Sequence, residues 1–189
     1  MRILGVVGSL RPESLNRRLL WAAADELPLS VELVSFEGLK AVEPFDETDE
    51  NENGGGMPGA DAFIAAIRDA DAVLFVTPEY NGSIPGVLKN AVDWASRPTP
   101  ATSPLAGKPV AVIGASTGMF GATWAQAELR KALGLAGARV LDQELALATA
   151  HESFAPDGRL RRKASRDRLR QILAQLAGEV RPATLPRRI

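Results

Sequence analysis

The residues best suited to hold a ligand lie at 78 to 84, Pro-Glu-Tyr-Asn-Gly-Ser-Ile. They follow an unbroken apolar run, Ala72-Val73-Leu74-Phe75-Val76, and lead into a helical pattern with Leu88, Ala91, Val92 and Ala95 at i, i+3, i+4 and i+7. Pro85 marks the start of that helix, by the first-turn preference of proline. A loop of this kind offers backbone N–H groups, small side chains that permit close approach, and one aromatic ring, Tyr80. It suits a flat ligand with a polar edge better than a bare phosphate. In an open parallel sheet ligands sit beyond the carboxyl ends of the strands, where this loop lies. On composition alone an ordinary strand-to-helix turn is an equal alternative.

A second loop, Gly8-Ser9-Leu10-Arg11-Pro12-Glu13-Ser14-Leu15-Asn16, directly follows the first apolar run and opens a helix. Its free N–H groups, the hydroxyls of Ser9 and Ser14, the amide of Asn16 and the cation of Arg11 together can surround a phosphate at a helix N-terminus. It matches neither the Walker pattern nor the Gly-x-Gly-x-x-Gly fingerprint. Ser14 is equally a helix cap. A third loop, Gly114-Ala115-Ser116-Thr117-Gly118-Met119-Phe120-Gly121, is built of small residues that let backbone amides approach a ligand edge, with a helix beginning near Gly121.

Protein-borne chemistry is sparse. The chain has no cysteine, which excludes disulfides, thiol catalysis, iron–sulfur clusters and thiolate zinc sites. Its one histidine, His151, belongs to no motif and reads as a loop residue rather than a proton donor. No Ser-His-Asp arrangement or motif-fixed carboxylate pair supports hydrolysis.

The elements that must position these loops alternate along the chain. Strands are expected at 3–7, 31–34, 72–76, 110–113 and 138–141. Helices are expected at 14–27 (Leu15, Leu19, Ala22 and Ala23 inward), 60–70 (Phe63, Ala66, Ile67), 85–95, 121–135 (Ala122, Ala125, Leu129, Leu133) and about 160–177. This predicts an α/β three-layer sandwich: a five-stranded parallel sheet of flavodoxin-like order 2-1-3-4-5 with helices on both faces. The first two loops would then meet at the switch point between strands one and three.

With 189 residues the chain suits a single domain spanning 1–189, ending in a short basic tail at 178–189. The apolar part of the N-terminus is too short for a signal peptide, and no run of 18 apolar residues occurs, so a soluble cytoplasmic protein without membrane contact is expected. Charge is uneven. Residues 159–189 hold ten Lys/Arg against Asp167 and Glu179, a net of +8, leaving −9 for residues 1–158. Leu169, Ile172, Leu173 and Leu176 run an apolar stripe through the basic stretch, so its arginines read as the solvated face of a docked helix rather than a nucleic-acid surface. Residues 43–59, acidic and then glycine-rich, read as an exposed mobile connection rather than a metal site.

The string PEYNGSIPGVLKNAVDWASRP at 78–98 strongly resembles the signature of the NADPH-dependent FMN reductase family, which includes soluble quinone and chromate reductases. The GSLR-x-x-S-x-N form of residues 8–16 is similar to that family's phosphate loop, and Phe154 to Leu160 to its turn before the last helix. The similarity spans about residues 3–178. It implies FMN as bound cofactor, with phosphate contacts at Ser9, Arg11, Ser14 and Asn16 beside Leu15. The ring would lie along Pro78, Glu79, Tyr80, Asn81, Gly82 and Ser83, with Ser116, Thr117 and Gly118 at its edge. It further implies NADPH or NADH as hydride donor, a small-molecule acceptor such as a quinone, chromate, azo compound or free flavin, ping-pong turnover, and a homodimer or dimer of dimers, with partner contact by residues 43–59. Where the family has Arg-Ala-Gln after the third loop, this chain has Trp124-Ala125-Gln126. A non-enzymatic flavodoxin-type electron carrier is the alternative from another class; its phosphate loop normally alternates Thr/Ser and Gly, unlike residues 8–16.

Overall fold

The structure, a computed structural model, describes residues 1–52 and 57–180. A sheet is built from β1 (Arg2–Val7), β2 (Glu32–Ser35), β3 (Ala72–Thr77), β4 (Pro109–Ala115), β5 (Arg139–Val140) and β6 (Ala146–Leu147). All pairs are parallel, in the order β2-β1-β3-β4-β5, with β6 also on β4. The helices are α1 (Leu15–Ala24), α2 (Glu47–Glu52), α3 (Pro58–Asp69), α4 (Gly86–Ala95), α5 (Thr123–Leu135) and α6 (Lys163–Gly178). This is the expected flavodoxin-like α/β architecture.

The central strands alternate their side chains between two cores, as the period of two requires. Ile3, Val7, Leu74, Val76, Ala111 and Ile113 face one core with the apolar sides of α1 and α6. Leu4, Val6, Val73, Phe75, Val110 and Val112 face the other, with α3, α4 and α5. The stripe of α6 is buried as expected, at Leu169, Ile172, Leu173 and Leu176. Its arginines also bond backbone on neighbouring segments: Arg166 donates to the Leu160 carbonyl and Arg168 to that of Glu144. Residues 181–189, most of the expected basic tail, lie outside the described residues.

Two expectations are corrected. The fifth sheet position is split: β5 covers the lower end of β4 and β6 its upper end, with Gly114 N–H donating to the Leu145 carbonyl. The intervening Asp142-Gln143-Glu144 is polar, and leaving the ladder lets Glu144 pair with Arg130 of α5 at 2.6 Å. The acidic connection is not a mobile loop over its first part. Glu43 accepts from the N–H groups of Gly59 and Ala60 at 3.1 and 3.0 Å, capping α3, which Pro58 opens. The Glu43 carbonyl accepts from Asn90 Nδ2 and Trp94 Nε1. Phe45 donates its N–H to Asn90 Oδ1 and stacks edge-on against Trp94 at 5.0 Å. Interaction with α4 therefore overrides local charge repulsion here. Gly59 makes close approach possible, since a Cβ there would stand 2.0 Å from the Ala41 carbonyl oxygen. Gly54, Gly55 and Gly56 lie outside the described residues.

Candidate functional site

Because β1, β3 and β4 are adjacent and parallel, the loops leaving their carboxyl ends open on one edge of the sheet. Those are the three loops singled out above. Arg11, Ser14, Leu15 and Asn16 from the first, Pro78, Glu79 and Tyr80 from the second, and Ala115, Ser116 and Thr117 from the third line a common cleft of about 110 Å³. That is a few times the roughly 30 Å³ share of one water, the scale of a phosphate group rather than of a whole nucleotide.

The first loop leaves β1 with Gly8 N–H still on the Val76 carbonyl, then turns at Arg11 to Ser14. Ser14 is the N-cap of α1, its Oγ accepting from the Asn16 N–H at 3.2 Å. Asn16 is 3% exposed, and its amide is committed: Nδ2 donates to the Ala115 carbonyl and Oδ1 accepts from the Ala115 N–H, both at 2.9 Å. The Arg11 guanidinium is exposed and has no hydrogen-bond or ion-pair partner among the described residues. Ser9 is buried, its Oγ accepting weakly from the Arg11 N–H, and it lines a neighbouring cavity instead.

The second loop is a tight hairpin. Tyr80 and Ser83 exchange two backbone hydrogen bonds, at 3.2 and 3.1 Å, and the residues between them, Asn81 and Gly82, have φ of 53° and 73°. Positive φ at both central positions is the type I′ pattern, which Asn-Gly favours. Asn81 and Gly82 therefore form the exposed tip. The hairpin presents Tyr80 half exposed and is tethered to α5 twice. Glu79 Oε2 accepts from the Ala125 N–H at 3.0 Å, and Ser83 Oγ donates to Glu128 Oε2 at 2.5 Å. α4 starts one residue later than expected, with Pro85 as N-cap.

In the third loop Ser116 Oγ accepts from the Gly118 N–H, and Gly118 and Thr117 are exposed. The loop is sewn to the segment after β6: Thr149 N–H donates to the Gly118 carbonyl and Ala150 N–H to that of Ser116. His151 stands in the short 3-10 turn Ala150–Glu152 that follows these contacts, its side chain about half exposed and 3.5 Å from the Glu152 carboxylate. Trp124 and Phe120 stack on each other at 4.7 Å, both largely exposed, beside the Ala125 that meets Glu79.

No local sequence pattern marks the tethers to Ala115, Ala125 and Glu128. The Asn-Gly dipeptide was the one available signal for the hairpin. Larger cavities of about 430 Å³ lie elsewhere. One is at the opposite end of the sheet around Lys108, whose ammonium burial holds below its ordinary pKa; the other lies between the first loop and Phe36, Glu37 and Lys40. The three-loop cleft differs in being lined by all three strand-end loops, beside the N-terminus of α1. No helix among the described residues is long and apolar enough to cross a membrane.

Comparison with known proteins agrees with this fold. The chain is 40% identical over 179 residues to an NAD(P)H-dependent FMN reductase of Pseudomonas aeruginosa, covering 93% of each chain. It is 46% identical over 132 residues to a 2-hydroxy-1,4-benzoquinone reductase of a Burkholderia species, covering 69% of this chain and 68% of that one. Among solved structures it resembles a flavoenzyme NAD(P)H:(acceptor) oxidoreductase from Paracoccus denitrificans, with a TM-score of 0.83 and 30% identity over 95% of this chain and 96% of that one. The family model described as NADPH-dependent FMN reductase matches residues 1–152, and with these relatives the chain belongs to that family.

Proposed function

We propose that this enzyme, an FMN-dependent NAD(P)H oxidoreductase, works by ping-pong turnover: NAD(P)H reduces the bound flavin and leaves, and a quinone or similar acceptor takes the electrons in its place. The observation that carries this reading is the convergence of three strand-end loops on one cleft, walled by the N-terminus of α1 and bordered by Arg11, whose guanidinium has no partner among the described residues. FMN supplies the hydride and electron chemistry when bound, so the chain needs no nucleophile or acid–base pair of its own.

The residues present fit that cofactor. Free N–H groups at the start of α1 and the Arg11 cation suit a doubly charged phosphate, and the cleft has its scale. Ser9 and Asn16 act from beneath: one shapes the turn and the other ties it to β4. The flat part of the ligand would lie over the Pro78 to Ser83 hairpin, with Tyr80 available to stack and Ser116, Thr117 and Gly118 at its edge, where the Thr117 N–H is the amide not already committed to Leu147 or Ser116. Exposed apolar side chains at this rim, Met119, Phe120 and Trp124, support a homodimer or dimer of dimers that walls in the flavin face.

The test is reconstitution with FMN, followed by steady-state NADPH oxidation with a quinone at several fixed concentrations of each substrate. Binding tighter than about 10 μM, near 7 kcal/mol, and parallel double-reciprocal lines are expected. Failure of FMN to bind overturns the reading, and intersecting lines replace ping-pong by a ternary complex. Light scattering at micromolar concentration should give a multimer mass.

A further inference from the structure

α5 begins without a cap of its own. Its N-cap position is Ala122, which has no side chain to accept a hydrogen bond and stands in the left-handed region at φ 65°, and there is no acidic residue in its first turn. The first-turn N–H groups of a helix lack intrahelical partners and carry positive potential. The acceptor comes from 46 residues away: Glu79 Oε2, on the hairpin after β3, takes the Ala125 N–H at 3.0 Å. Glu79 also lines the three-loop cleft.

We infer that Glu79 is a positioning residue that holds the hairpin against α5 and, by setting its negative charge on the N-terminus of that helix, lowers the reduction potential of the flavin. This rests on the FMN reading above. The second tether, Ser83 to Glu128, fixes the other end of the hairpin, so Glu79 sets the entry and Ser83 the exit of the segment that carries Tyr80. Reduction places negative charge on the flavin ring. A helix N-terminus next to the cleft favours that charge, and a carboxylate set on the same N-terminus opposes it.

Two substitutions separate the mechanical from the electrostatic part. Glu79→Gln keeps an oxygen that accepts from the Ala125 N–H and removes the charge; Glu79→Ala removes both. In the apo protein, thermal melting should fall clearly for Glu79→Ala and much less for Glu79→Gln. In the FMN-loaded protein, dye-equilibrated reduction of Glu79→Gln should show a potential raised relative to wild type. A three- to tenfold gain in reduced over oxidised flavin affinity corresponds to about 15 to 30 mV for the two-electron couple. An unchanged or lowered potential in flavin-replete Glu79→Gln overturns the electrostatic role. Equal melting of wild type and Glu79→Ala overturns the tether. Wild-type protein that takes up no FMN would instead overturn the cofactor reading, a separate outcome, and the melting comparison still decides the tether.

Discussion

Asn16 and Ala115, 99 residues apart in sequence, are joined by two hydrogen bonds of 2.9 Å, with the side-chain amide of one facing the peptide N–H and carbonyl of the other. The first turn of α1 is thereby locked to the last residue of β4. Two of the three loops that meet at the cleft keep their spacing through this pair, with both residues essentially buried.

Replacing Asn16 by Leu should therefore destabilise the protein before any ligand is considered. Both polar groups of Ala115 lose their partner inside the fold, at about 1 to 3 kcal/mol for each unsatisfied group. Urea unfolding of the apo protein should show a loss of roughly 2 to 4 kcal/mol, allowing for relaxation. Asn16→Asp keeps the acceptor for the Ala115 N–H but loses the donor, and should fall between. An unaltered midpoint in Asn16→Leu would mean that the pair does not hold the loops.

Arg11 makes the opposite case, an exposed side chain with no partner among the described residues. Arg11→Ala should leave the melting temperature of apo protein unchanged while weakening FMN by about 1 to 3 kcal/mol, the usual worth of a charge-assisted hydrogen bond. Riboflavin, which lacks the phosphate, should bind both proteins alike. Titration of the two ligands followed by absorbance decides this, and an equal loss for both would remove Arg11 from the phosphate.

Glu43 links pH to stability. Its own backbone N–H, foremost, holds its carboxyl below the ordinary carboxylate range against desolvation, which raises it, and the N–H groups of Gly59 and Ala60 add to the lowering. The ionised form is thus favoured in the folded state. Its contribution is present at pH values above the unfolded carboxyl pKa of about 4.3 and disappears as pH falls through the lower folded value. Glu43→Ala should cost about 0.5 to 2 kcal/mol at neutral pH, the range for a lost helix cap, and should flatten the acid limb below about pH 4.3. Parallel acid limbs for wild type and variant, measured by chemical unfolding from pH 3 to 7, would contradict the assignment.

What could be read along the chain was whatever depends on short-range pattern. Apolar runs at 3–7, 72–76 and 110–113 can only be central strands of a sheet covered on both faces, and the 3.6-residue stripes at 88–95, 125–133 and 169–176 can only bury against it. Those periods make the sheet parallel, and the flavodoxin-like order, one of the common doubly wound arrangements, is the one that five such strands suggest and that brings the three loops to one sheet edge. Tertiary structure decided what is carried by pairs distant in sequence. The Asn16 side-chain amide meets Ala115, and the Glu79 carboxylate caps α5. Glu43 read as one charge in a solvated run, but it caps α3 while its carbonyl anchors Trp94. In each case the orphan N–H groups of a helix start or strand end had to find an acceptor, and the backbone emits that demand without marking it in the residue that meets it.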